Sequence, residues 1–262
     1  MTNISEKGER NKKKVSTILV SQPKPVDKDS QYFKLAEKYN LKIDFRSFIE
    51  IQPVNLAEFR AQKVDILSHT AVIFTSRHAV DHFFTLSREM KIDIPTDMKY
   101  FCVSELTANY VQKYIVVRKR KMFSGTRTTN DLIEILKKHK DEKFLLPCSN
   151  IGAKDIPNFL STNGNQFTEA IFYKTVASDL SDLAEVNYDV IAFFSPADIN
   201  SLFLNFPDFK QNYTRIAGFG PSTSKAISDH GLVINIEAPR PEAPSMVGAI
   251  ELYIKGVMAE MK

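Results

Sequence analysis

The residues most able to do chemistry in this chain are small hydroxyls, and they recur in one setting. Thr75-Ser76, Ser104 with Thr107, Ser149-Asn150, Ser195-Pro196-Ala197 and Gly220-Pro221-Ser222-Thr223 each follow a short apolar run and precede a helical pattern. A strand that runs into a helix start leaves unpaired N–H groups and the positive end of a helix dipole. Hydroxyls and N–H groups gathered there can bind carboxylates or phosphates without a fixed countercharge. The fullest example is Thr214–Ile227, which reads as a strand over Ile216–Phe219, a tight turn and a helix. Gly218 and Gly220 allow a sharp turn and close ligand approach. Pro221 suits a first helical turn, and Ser222 and Thr223 can cap it. The same hydroxyls also serve as ordinary helix caps.

Other chemistries are poorly supported. The sequence holds no Walker A loop, no H-E-x-x-H, no G-x-S-x-G and no complete G-x-G-x-x-G. Gly218-Phe219-Gly220 lacks the third glycine of a dinucleotide fingerprint. Among His69, His78, His82, His139 and His230, only His78 and His82 stand at i, i+4. With no third ligand in view they read as two exposed helix residues, and no metal site is expected. The run Arg118-Lys119-Arg120-Lys121 reads as a solvated loop that could draw an anion toward a site. Tyr173 sits between Phe172 and Lys174 in a long strand-like stretch. A tyrosine there is packing with a wet hydroxyl, or, in a cleft, a proton donor.

The elements that must position these loops appear in two copies. Val72–Val80 aligns with Ile191–Ile199, Phe101–Ala108 with Ala217–Ser224, and Ile18–Pro23 with Phe144–Ser149. Each is an apolar run of strand length, a small polar loop, then a helical pattern, with similar offsets between partners. Strands alternating with helices call for parallel sheets covered on both faces. The expected fold is therefore α/β, with two similar parallel-sheet lobes of flavodoxin-like kind. Ligands of such sheets bind outside the carboxyl ends of the strands. Two stretches are long for one lobe: Leu41–Ile51, which alternates apolar and polar as a single strand, and Gln166–Val176. They are expected to pair as a two-stranded connector at 41–54 and 166–176. Residues 15–45 and 175–262 then form one lobe, and 55–167 a second lobe inserted into it. Ile115–Val117 reads as a further strand of the inserted lobe.

Composition sets the remaining bounds. A chain of 262 residues suits two domains. Its net charge of +4 is concentrated in residues 1–14, a polar basic tail expected to be disordered. A nearly neutral body argues against a nucleic-acid partner. Cys102 and Cys148 show no C-x-x-C spacing and suggest no disulfide framework. No apolar run reaches the roughly 20 residues of a membrane span, and no secretory h-region is visible, so a cytoplasmic protein without membrane contact is expected. Without coiled-coil heptads, a monomer is the expected state.

Together these features resemble the uroporphyrinogen-III synthase family. The resemblance runs from about Val15 to Lys255. It is carried by Ile73-Phe74-Thr75-Ser76 with Ala79-Val80, by Phe194-Ser195-Pro196, by Gly220-Pro221-Ser222-Thr223 and by Ile171-Phe172-Tyr173-Lys174-Thr175. It implies two α/β lobes joined by a β-ladder, and a cofactor-free lyase of haem biosynthesis. Such an enzyme takes the linear tetrapyrrole hydroxymethylbilane, expels water, and closes the ring with the last pyrrole inverted. The eight carboxylates of the substrate would meet Thr75, Ser76, Ser104, Thr107, Ser149, Asn150, Ser195, Pro196, Ala197, Gly220 and Ser222. By the same resemblance Tyr173 aligns with a tyrosine proposed to help the hydroxyl leave, and Thr223, with Ser195, aligns with loop positions facing the cleft. Tyr173 and Thr223 are thus the expected catalytic residues. The chain departs from the family pattern at Gln22-Pro23, where Arg-Pro is frequent, at Arg77-His78, where smaller residues are common, and at Ser104-Glu105, in place of a glycine-containing turn. Two other readings of the same residues are a non-catalytic two-lobed module for a polyanionic small molecule and a flavodoxin-like cofactor protein, which would be coloured.

Overall fold

The computed structural model describes residues 13–126, 128–184 and 187–260. Most of the expected basic tail, residues 1–12, and Arg127 of the loop after Ser124 lie outside the described residues. Two compact units divide the chain: Met1–Glu50 with Val176–Lys262, and Ile51–Thr175.

The chain opens with β1 (Thr17–Val20), α1 (Gln31–Tyr39), β2 (Lys42–Phe45) and β3 (Ile49–Pro53). The inserted unit continues with α2 (Leu56–Ala61), β4 (Ala71–Phe74), α3 (Arg77–Glu89), β5 (Lys99–Cys102), α4 (Glu105–Val111) and β6 (Met122–Ser124). It ends with α5 (Thr129–Leu136), β7 (Lys143–Ser149), α6 (Asp155–Thr162) and β8 (Gln166–Ala177). The first unit is completed by β9 (Val190–Phe193), α7 (Pro196–Asn205), β10 (Arg215–Phe219), α8 (Pro221–Asp229), β11 (Ile234–Ala238) and α9 (Met246–Glu260).

The first unit's sheet runs β2-β1-β9-β10-β11, and its paired strands are parallel. The inserted unit's sheet runs β8-β7-β4-β5-β6, again in parallel pairs, with β3 added outside β8. Both follow the flavodoxin-like 2-1-3-4-5 order. In that order β7 takes the place of β1, β4 of β9 and β5 of β10. These are the three strand pairs whose sequences align. The inserted unit is therefore a circularly permuted copy: the chain enters it at the third position and builds the first two strands last.

Burial explains why these strands read so clearly. Every residue of β4 and of β9 is buried, because helices cover both faces of each sheet. In the inserted unit one face packs Phe74, Phe83 and Phe172, and the other packs Phe101, Phe144 and Leu160. In the first unit Val20, Ala192 and Ile250 lie on one face and Leu19, Phe193 and Ile227 on the other.

Two expected strands come out differently. Leu41–Ile51 is not one strand. It breaks at Arg46-Ser47-Phe48 into β2, which joins the first sheet, and β3, which pairs with β8. Phe48 is fully buried with its ring edge-on to Phe193 at 5.8 Å, so the alternation is interrupted by a core residue. Ile115–Val117 forms no strand. Ile115 and Val117 pack against the core while Val116 is fully exposed, and the sheet position goes to Met122–Ser124 beside β5. Among the described residues no helix is long and apolar enough to cross a membrane.

Candidate functional site

In a 2-1-3-4-5 sheet the crevice for a ligand opens where the strand order reverses, between positions 1 and 3 at the carboxyl ends. In the inserted unit that point lies between β7 and β4. Thr75 and Ser76 follow β4, Ser149 ends β7, and Tyr173 lies beside Ser149 on β8. A cavity of about 250 Å³ opens there, lined by Thr75, Ser149 and Tyr173 with Val103, Thr129 and Cys148.

Tyr173 is buried, at 8% exposure. Its hydroxyl is 3.3 Å from the Ser76 hydroxyl. Ser76 caps α3 by accepting from the Ala79 N–H at 3.1 Å, which leaves its own proton or second lone pair for the tyrosine. Burial raises the Tyr173 pKa above its ordinary value, and the Ser76 hydrogen bond only partly opposes this. The phenol is therefore held in its O–H form at neutral pH, as a hydrogen-bond donor facing the cavity region.

The first unit builds the same turn differently. Ser195 caps α7, as Ser76 caps α3, but residue 198 is an aspartate where the inserted copy has Ala79. One Asp198 carboxylate oxygen accepts from the Phe194 N–H at 3.0 Å, the Ser195 N–H at 2.9 Å and the Ser21 hydroxyl at 3.0 Å. The protein's own carboxylate thus fills the anion position at the β1–β9 crevice. Among the described residues of the inserted unit no side-chain carboxylate closes the corresponding turn, where Ala79 stands in place of Asp198.

A family model described as uroporphyrinogen-III synthase HemD matches residues 30–248. The chain belongs to the uroporphyrinogen-III synthase family. It is 25% identical over 208 residues to the uroporphyrinogen-III synthase of Saccharomyces cerevisiae, a match covering 70% of this chain and 75% of that protein. Its fold is similar to that of uroporphyrinogen-III synthetase from Helicobacter pylori, with a TM-score of 0.61 and 18% identity over 92% of this chain and 99% of that one. A mutant uroporphyrinogen III synthase from Thermus thermophilus gives 0.57 and 13%, with the same coverage. The family gives the chain an enzymatic role in porphyrin and haem biosynthesis.

The remaining expected residues fall into three groups. At the end of β5, Ser104 caps α4, and the buried Thr107 has its hydroxyl 3.2 Å from that of Ser104. Beyond β7, the Ser149 hydroxyl accepts from the Ile151 N–H at 3.2 Å. The Asn150 amide is committed to β8: its oxygen accepts from the Thr175 N–H at 2.8 Å and its nitrogen donates to the Thr175 carbonyl at 3.4 Å. In the first unit, Pro196 and Ala197 open α7, and Gly220 precedes α8 with a φ of +85° that favours glycine. Gly220 leaves the α8 start without a side-chain cap; Ser222 is exposed and Thr223 is buried, at 1% exposure. Gly218 has another purpose. A Cβ there would sit 2.7 Å from Ile227 Cδ1, so the glycine lets α8 pack onto β10.

The basic run keeps its solvated reading and gains a place in the fold, while the reading of His82 changes. Arg118–Lys121 leads into β6, at the amino edge of the parallel sheet, opposite the edge that carries Tyr173, and Lys121 donates to the Thr96 carbonyl. The run therefore does not line the Tyr173 cavity. His82 is half-buried rather than exposed, with its ring stacked on Tyr173. The i, i+4 spacing of His78 and His82 marked a shared helix face, but nothing local showed what that face meets. Among the described residues no cluster of three or more His, Cys, Asp or Glu side chains could hold a metal ion.

Proposed function

We propose that this protein is a uroporphyrinogen-III synthase acting as a cyclising hydro-lyase on hydroxymethylbilane. The observation that carries the reading is the family match over residues 30–248, in a chain that keeps a tyrosine hydroxyl at a strand-end cavity. The pyrrole nitrogen of the substrate supplies electrons as the C–O bond of its hydroxymethyl group breaks. Tyr173 donates a hydrogen bond to the departing oxygen, which leaves as water after taking up a proton. Ring closure with inversion then depends on holding the chain ends together, an orientation effect that must outrun spontaneous closure. Each unit offers substrate carboxylates its own hydroxyls and N–H groups at the strand ends: Thr75, Ser76, Ser104, Thr107 and Ser149 in the inserted unit, and Ser195, Ala197 and Ser222 in the other, where Pro196, which has neither group, and Gly220, whose N–H donates to the Ala238 carbonyl, shape the turns. Asn150 acts mainly by fixing β8 beside Tyr173. Thr223, buried at the uncapped start of α8, shapes that turn of the first unit from beneath. The enzyme works as a cytoplasmic monomer, and no cofactor is called for.

The test is a coupled assay. Hydroxymethylbilane is generated in situ, the products are oxidised, and the porphyrin isomers are separated by chromatography. Dominant III isomer is expected. Only the spontaneous I isomer, from folded protein, would overturn the assignment.

A further inference from the structure

The inserted unit holds Tyr173 at two points, and both belong to α3. Ser76, the cap of α3, meets the phenolic hydroxyl at 3.3 Å. His82, six residues on and about 9 Å along the helix axis, lays its ring against the tyrosine ring. The centroids are 5.2 Å apart and the planes differ by 22°. His78, one turn earlier, is tilted and more distant, at 6.2 Å and 49°. A phenol held only by one hydrogen bond could still swing about its Cα–Cβ bond and carry its oxygen away; a flat ring against its face restricts that swing. We propose that His82 is a positioning residue: its stack on Tyr173 fixes the phenol so that the hydroxyl points at the reacting carbon–oxygen bond. This rests on the role assigned to Tyr173 above.

Other observations support a stacking role over a chemical one. The His82 ring is half-buried, and burial, with His78 adding to it, holds its pKa below the ordinary value, so a neutral aromatic ring faces the tyrosine. No hydrogen bond or ion pair of the His82 ring is found among the described contacts; its one assigned partner is the aromatic face. The neighbouring Asp81 is engaged elsewhere, accepting from the hydroxyls of Tyr114 at 2.6 Å and Tyr110 at 3.2 Å.

Two measurements test this. In the coupled assay His82→Ala should lower kcat roughly two- to tenfold, the loss expected of an aromatic pair, with KM nearly unchanged and a larger share of I isomer. His82→Phe, which keeps a flat ring without a titratable nitrogen, should restore most of the turnover. By NMR, the Cε1–H resonance of His82, assigned by its loss in His82→Gln, should move when Tyr173→Leu removes the phenol ring and stay close to its place in Tyr173→Phe. Unchanged kcat in His82→Ala, while Tyr173→Phe is impaired, would overturn the proposal and leave the tyrosine's role standing. A His82→Phe variant as slow as His82→Ala would overturn it in favour of a nitrogen-based role. A resonance unmoved in Tyr173→Leu would show that no stack forms. Full activity in Tyr173→Phe would remove both the tyrosine's role and the positioning of it.

Discussion

Replacing Tyr173 by Phe removes one oxygen and keeps the ring, so the structure makes two separable forecasts. For stability, the lost contact is a single hydrogen bond to Ser76 at 3.3 Å. Ser76 keeps the Ala79 N–H, so the cap of α3 survives. The cost should stay within about 1 kcal/mol, the net worth of one neutral hydrogen bond. For catalysis, the proposed role sets the same hydroxyl against an oxygen that gains negative charge as its bond to carbon breaks. A hydrogen bond to a charged group contributes about 1.5–3 kcal/mol, which corresponds to roughly a ten- to hundredfold fall in kcat. KM should change little, because the substrate's carboxylates are held by other groups. The III fraction should also drop, since slow turnover lets spontaneous closure compete. The coupled isomer assay reads both, and a thermal melt on the same protein confirms folding. Burial raises the Tyr173 pKa above its ordinary value of 10, so the wild-type rate should carry no Tyr173-dependent limb between about pH 6 and 9. Unchanged kcat and III fraction in folded Tyr173→Phe would refute the reasoning. So would a wild-type basic limb near pH 7 that vanishes in the variant.

Three further outcomes test the scaffold. Gly218→Ala should destabilise by about 1–3 kcal/mol through overpacking against Ile227 Cδ1; adding Ile227→Val, which deletes that methyl, should make the double variant less unstable than the sum of the two, as read by urea denaturation. Asp198→Ala should cost about 1–3 kcal/mol in the same measurement, because it strips the acceptor from two backbone N–H groups and the Ser21 hydroxyl at once. The Lys38 ammonium above all, then Lys255 and Tyr39, holds the Glu251 pKa at about 2, below its ordinary 4.5. A carboxylate with a depressed pKa stabilises the fold above its unfolded value and loses that contribution as pH falls through its folded value. Stability should therefore decline between about pH 4.5 and 2, and Glu251→Gln should flatten that part of the curve in melts taken across the range.

The duplication was legible because parallel strands buried on both faces write themselves as continuous apolar runs. Val72–Phe74 with Ile191–Phe193, and Ile18–Val20 with Phe144–Leu146, need no tertiary knowledge to be seen as equivalent pairs. The caps at Ser76, Ser104 and Ser195 were legible for a similar reason: each bonds an N–H three residues on, within reach of local pattern. What escaped depends on distant partners. The break at Phe48 follows from a ring 145 positions later in the chain, and Asn150 is committed by a strand edge that no spacing announces. Asp198 is the sharpest case. Read locally it is the third residue of a helix; folded, it joins the loop after β1 to the loop after β9. Its counterpart is Ala79, which cannot do this, and above Ala79 the space near Ser76 goes to Tyr173 instead. Among the differences between the two copies of this crevice, the Ala79/Asp198 position leaves one closed by an internal carboxylate and one open to a tyrosine from the neighbouring strand. If that divergence set the division of labour, placing a carboxylate in the open copy should mimic the closed one. Ala79→Asp is then expected to cap α3 as Asp198 caps α7, to raise the melting temperature, and to lower kcat by competing with Tyr173 for Ser76 and repelling substrate carboxylates. A variant as stable as Asp198 makes its own helix but with full turnover would show that the inserted unit's crevice has no part in the reaction.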